Sequence, residues 1–266
     1  MMQQRIMGKL IAGLLGFITY GTVGALIGIL VGHQFDKAFG GLLNPISAEQ
    51  QQRMGESFFN TVFSLLGYLA KSDGQISKSE IAQAEALMSR MGLPSEQRQE
   101  AIKLFKLGAQ SSFSVDQAMQ DFIATCGRQN NLKRSLLNYL IALALADGEL
   151  HTAEQQALQK IASYLGFSEA LFNRFLEMIL AQTQFRGSGA GSASSSAAQL
   201  DAAYKALGVS ASQTDAEIKK AYRKLLSENH PDKLIGQGMP ADMIKLATER
   251  TQEIRKAYEL IVSNRR

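Results

Sequence analysis

The chain has 266 residues, 45% of them hydrophobic and 20% charged, which excludes wholesale disorder and is enough to bury a core without disulfides. A lone cysteine, Cys126, rules out an intrachain disulfide and a cysteine-based zinc site, and it favours a reducing compartment for the soluble part. The net charge of +4 is uneven: residues 1–185 hold 15 basic and 15 acidic side chains, whereas residues 200–266 hold 12 and 9, a surplus too small to imply a nucleic-acid partner. Four prolines, no tryptophan and few β-branched runs point to an all-α chain rather than a sandwich or barrel.

From Leu10 to Gly32 there are 23 residues without a charge, bounded by Lys9 on one side and by Asp36 and Lys37 on the other. As a helix the run reaches about 34 Å, enough to cross a hydrocarbon core of roughly 30 Å. A cleaved signal peptide fits less well, because its apolar region is shorter and a small-x-small cleavage site follows it promptly. Residues 1–37 therefore read as a retained anchor in a lipid bilayer. Gly24, Gly28 and Gly32 repeat every four residues on one face, the spacing that lets a second transmembrane helix approach closely, so a homodimer through this helix is expected. Arg5, Lys9 and the amino terminus lean the flanking charges towards a cytoplasmic N-terminus.

Between residues 47 and 185 the apolar residues recur at helical spacing, with Phe58, Val62, Leu65, Leu66 and Leu69 along one face. Breaks near Asp73-Gly74, Gly92-Leu93-Pro94, Gly127 and Asp147-Gly148 divide the region into about seven helices. Two stretches echo each other 74 residues apart, Asp73-Gly74 with Glu80 and Asp147-Gly148 with Glu154. Each echo has the later half of a calcium loop, but Leu69 and Lys71, or Leu143 and Leu145, stand where further oxygen ligands belong. Helix capping therefore accounts for these turns better than a metal does. The paired turns resemble the TerB-like helical domain of tellurite resistance, and the resemblance implies that Asp73, Glu80, Asp147 and Glu154 cluster as a site for a weakly held cation or a partner. Cys126 reads as a buried thiol and His151 as a surface side chain.

Residues 186–199 are almost wholly Gly, Ser and Ala, a composition that predicts a flexible tether with a span on the order of 20 Å. Beyond it, Asp215 opens a helix through Glu228 with Ile218, Ala221, Tyr222 and Leu225 on its packing face. Lys219, Lys220, Arg223 and Lys224 make a basic ridge beside that face. Pro231 disfavours helical geometry in the residue before it, so the helix stops before His230-Pro231-Asp232-Lys233. A last helix over about 241–262 offers Ile244, Ala247, Ile254, Ala257, Tyr258 and Ile261 as its packing face.

Tyr204-Lys-Ala-Leu-Gly-Val209, Ile218-Lys-Lys-Ala-Tyr222-Arg-Lys-Leu225, His230-Pro231-Asp232 and Ala257-Tyr258 together make residues 200–266 resemble the J domain of DnaJ-type co-chaperones. The order of anchor, TerB-like bundle and C-terminal J-domain hairpin resembles the membrane-anchored J-domain co-chaperones of bacteria. That resemblance implies docking on a DnaK-type Hsp70 chaperone and stimulation of its ATPase. It assigns the contact to Lys219, Lys220, Tyr222, Arg223, Lys224, His230, Pro231, Asp232 and Lys233. Because Hsp70 and ATP are cytosolic, it also implies a bacterial inner-membrane protein with a periplasmic N-terminus and cytoplasmic C-terminal domains, against the flanking charges. The sequence holds no phosphate-binding loop, His-Glu-x-x-His pair or Gly-x-Ser-x-Gly elbow, so neither an enzyme nor a cofactor is expected. A membrane-tethered cation or stress sensor acting through the TerB-like unit is the alternative function.

Overall fold

The computed structural model describes residues 46–72, 78–145, 150–187 and 196–265, and every regular element among them is helical. The uncharged N-terminal run, with Gly24, Gly28 and Gly32, lies outside the described residues, as do Asp73 and Asp147. Among the described residues no helix is long and apolar enough to cross a membrane.

The seven expected helices are α1 (Ala48–Ala70), α2 (Lys78–Met91), α3 (Ser95–Gly108), α4 (Val115–Cys126), α5 (Asn130–Ala144), α6 (Thr152–Tyr164) and α7 (Glu169–Gly187). The predicted face of α1 is fully buried, but Thr61, Phe63, Ser64, Gly67 and Ala70 are buried as well, because α3, α4, α5 and α6 surround it. The buried Ser64 hydroxyl is satisfied by donating to the Asn60 carbonyl at 2.8 Å. Two glycines let α1 and α3 touch backbone to backbone. A Cβ on Gly67 would lie 1.9 Å from the Phe105 oxygen, and one on Gly108 would lie 1.7 Å from the Ser64 oxygen.

The tether is short in this fold, since α7 runs to Gly187 and α8 (Ser196–Ala206) begins nine residues later. α8 packs along α7, and the buried Gln182 amide of α7 donates to the Ala206 carbonyl at 2.7 Å. Next come α9 (Asp215–Glu228), the short α10 (Pro231–Gly236), a 3-10 turn (Ala241–Met243) and α11 (Ile244–Arg265). The predicted start of the last helix is that 3-10 turn, closed by the Met243 amide donating to the Pro240 carbonyl at 3.0 Å. Ala203, Tyr204, Leu207, Ile218, Ile254 and Ile261 form the core of this C-terminal unit. Tyr222 of α9 stacks on Tyr258 of α11 with centroids 4.0 Å apart and rings 7° from parallel, which fixes the two helices face to face. Bundle and hairpin belong to one compact unit, Ala48–Arg266.

Candidate functional site

Thr214 starts α9 as its N-cap. Its hydroxyl accepts from the Glu217 amide at 3.3 Å, and its own amide donates to the Glu217 carboxylate at 2.8 Å. The Thr214 backbone, and after it the Thr214 hydroxyl, hold the Glu217 carboxyl below the usual range. With Ile218 and Leu225 buried, the basic side chains are left on the outside. Lys219, Lys220, Arg223 and Lys224 are all exposed, but they do not share one face. Lys224 lines a cleft towards α5 and α7, together with Glu217, Ala221 and Glu228, whereas Lys219 borders a groove beside Tyr258 and Ile261. Tyr222 is half-buried by its stacking on Tyr258.

The helix ends where the sequence said it must. Asn229 closes it, donating its side-chain amide back to the Leu225 carbonyl at 2.8 Å and accepting from the Thr251 hydroxyl of α11 at 3.2 Å. His230 then caps α10, with Pro231 in the first helical position, where a missing N–H costs nothing. The His230 side chain is 52% exposed and that of Asp232 88% exposed; Nδ1 and Oδ2 stand 3.9 Å apart, beyond hydrogen-bond reach. The exposed Lys233 donates to the Ser227 hydroxyl at 3.1 Å, which ties α10 back to the end of α9.

The segment after α10 is where the hairpin meets the bundle, and the sequence did not announce it. Leu234, Met239 and Met243 are buried. Gln51 donates to the Gly236 carbonyl at 3.0 Å, Asn131 to the Gln237 side chain at 3.0 Å, and Gln97 to the Asp242 carboxylate at 2.8 Å. The buried Tyr139 hydroxyl donates to the Met243 carbonyl, and burial raises its pKa so that it stays a donor. Arg134 of α5 pairs with Glu228 at the end of α9. The one local signal was Gly236-Gln-Gly238-Met-Pro240, legible only as a break, and Gly238 does take a positive φ of 94°.

Of the acidic residues in the echoed turns, Glu154 serves as a cap, its carboxylate accepting from the His151 amide at 3.0 Å. Glu80 lies on α2. Among the described residues no group of three or more His, Cys, Asp or Glu is placed to hold a metal ion. Cys126 is fully buried at the end of α4, where burial pushes its thiol pKa up to about 11.

Three family models match the chain in order: the co-chaperone DjlA transmembrane domain over residues 2–53, tellurite resistance protein TerB over 60–177 and the DnaJ domain over 202–266. The first of these spans the uncharged N-terminal run. Proteins named co-chaperone protein DjlA are similar over nearly their whole length. That of Coxiella burnetii is 39% identical over 259 residues, 96% of both chains. That of Yersinia pestis is 40% identical over 270 residues, 97% of both chains, and that of Vibrio cholerae 39% identical over 281 residues, 96% of this chain and 97% of its own. No solved structure matches the chain.

Proposed function

The chain belongs to the DjlA family of membrane-anchored J-domain co-chaperones, and from that premise we propose that it stimulates the ATPase of a DnaK-type Hsp70 beside the membrane. The observation that carries this reading is the exposure of His230 and Asp232 where α9 gives way to α10, a junction braced by Asn229, Pro231 and Lys233. Lys219, Lys220 and Arg223 steer an acidic Hsp70 surface towards that junction and set its register. Asp232 then accepts charge-assisted hydrogen bonds from an Hsp70 guanidinium. Tyr222 acts mainly by holding α9 against α11 through its stack on Tyr258. Because Lys224 looks into the cleft, it contributes less to docking than Lys220 or Arg223. Hydrolysis itself takes place in the partner.

In this reading the N-terminal helix lies in the inner membrane with the N-terminus periplasmic, and Gly24, Gly28 and Gly32 pair two copies. Residues 186–199 join the TerB-like domain (47–185) to the J domain (200–266). Glu154 is already engaged as a helix cap, so the alternative of a cation sensor gains nothing from it.

Single-turnover ATP hydrolysis by DnaK, measured with the unit Ala48–Arg266 and its Asp232→Asn variant, tests the reading. Stimulation by the parent that falls about tenfold or more in the variant is expected, since a charge-assisted contact is worth ~1.5–3 kcal/mol. Failure of the parent to stimulate, or full stimulation by the variant, sinks it.

A further inference from the structure

Glu217, Ala221, Lys224 and Glu228 recur at four, three and four residues along α9, so they form one stripe. That stripe does not join the α8–α11 core. It forms one wall of a cleft of about 520 Å³, whose other walls come from α5, α7 and α11. Five cationic side chains line the cleft, Lys133, Arg134, Arg174, Lys224 and Arg250, against the two carboxylates Glu217 and Glu228.

Both carboxylates are already engaged. Glu228 is held by Arg134, and Glu217 closes the cap at Thr214. Arg174 donates to the Gly208 carbonyl at 3.0 Å, a neutral acceptor. Lys133, Arg174 and Lys224 therefore have no carboxylate partner among the described residues.

Arg250 is the most deeply buried of the five cations. It is 7% exposed; its guanidinium donates to the Asn138 side chain and lies over the Phe175 ring, 5.8 Å from centroid to Cζ, with the carboxylates of Glu253 and Glu228 near enough to act on its charge. Its Nε has no hydrogen-bond partner. Burial lowers its pKa to about 10, which leaves it a cation at neutral pH. Burying a cation is costly, and an anion that reached the unpaired Nε would offset part of that cost. Phe175, Met178, Leu207 and Val209 give the same cleft an apolar wall.

We propose that this cleft binds an organic polyphosphate of the nucleoside-diphosphate class, with its phosphates on Arg250, Lys133, Arg174 and Lys224 and its ring body against the apolar wall. Planar guanidinium groups match phosphate oxygens two at a time, and the surplus of cations suits two or more phosphates rather than a single carboxylate. The volume lies in the range of small-molecule sites, and an apolar wall with a few convergent charges is their usual make-up. The ligand would bridge the helical bundle and the α9–α11 hairpin, because its contacts come from both.

The test is titration calorimetry on the full chain in nanodiscs of neutral lipid, so that lipid phosphate supplies no anionic head group, with magnesium-free ADP and with inorganic pyrophosphate. ADP binding in the range of tens to hundreds of micromolar is expected, about −5 to −6 kcal/mol by the affinity relation, with pyrophosphate competing for the same site. Lys133→Glu is half-exposed at a position with no side-chain partner to lose, and should weaken ADP binding about tenfold or more while leaving the melting midpoint in place. Arg174→Gln is the independent second variant and should weaken it as well. No binding of either anion up to about 5 mM, or affinity that both variants retain, overturns the proposal.

Discussion

Substituting Gly238 by Ala tests whether the segment after the His-Pro-Asp turn is truly seated on the bundle. The backbone there has φ of 94°, and an added Cβ would stand 2.7 Å from the Met54 Cβ and 3.0 Å from the Gln51 oxygen. Carbon atoms in good contact sit about 3.5–4.0 Å apart, so the methyl cannot be absorbed without moving α1 or the segment. Left-handed backbone costs an L-residue ~1–2 kcal/mol, and an overpacked contact ~1–3 kcal/mol, giving about 2–5 kcal/mol in all. That is a sizeable part of the ~5–15 kcal/mol that holds a typical domain. The loss in global stability is capped, however, by the free energy of seating the segment, because the strained residue can leave its place. The sharper readout is therefore hydrogen exchange. Amides from Gly236 to Met243 should lose protection, while those of α9 stay protected by the Tyr222–Tyr258 stack. Gly236→Ala is the control, since an added Cβ there meets nothing within 4 Å, and it should be neutral or slightly stabilising. Unchanged exchange in this segment of Gly238→Ala, with a urea midpoint shifted by less than ~0.5 kcal/mol, would refute the seating.

Arg265 fastens the loop before α9 to the end of α11: it donates to the Tyr204 hydroxyl at 2.7 Å, the Gln213 carbonyl at 2.9 Å, the Asp215 carboxylate at 2.6 Å and the Ala211 carbonyl at 2.5 Å. Arg265→Ala should lower the thermal midpoint and Arg265→Lys should recover only part of it, because an ammonium cannot reproduce the planar fork; equal midpoints for Lys and Arg would count against the geometry. Cys126 should resist iodoacetamide in the folded chain at about pH 8 and react on unfolding. Burial raises its thiol pKa from 9.0 to about 11, so the neutral form is favoured in the fold. The stability this contributes is intact below pH 9.0 and is lost as pH rises towards about 11, which alkaline urea titrations of the parent and Cys126→Ala will read as a difference confined to that window.

Helices were legible because their signal is local. The stripe Phe58, Val62, Leu65, Leu66, Leu69 marked α1, Asp215 and Pro231 marked the two ends of α9, and such signals reach only a few residues along the chain. The His-Pro-Asp motif was legible for the same reason, as a contiguous run where one helix stops and the next begins, exposed on account of its charges. Less of the surroundings could be read. The apolar stripe of α11 has a gap between Ala247 and Ile254, and the structure fills it with buried Arg250 and Thr251, which no periodicity of apolar residues can mark.

The basic ridge shows the same boundary. Composition and spacing determine that Lys219, Lys220, Arg223 and Lys224 stay out of the α9 core, yet only the packing of α9 near α5 and α7 separates Lys224 from the others. Likewise, Gln51, Gln97, Asn131 and Tyr139 carry no mark of the segment they hold, more than a hundred residues away in each case. Sequence alone determines which residues turn inward along a helix, because backbone geometry repeats every 3.6 residues. Which polar atoms then meet is decided by tertiary structure, because a buried donor must find an acceptor wherever close packing has brought one.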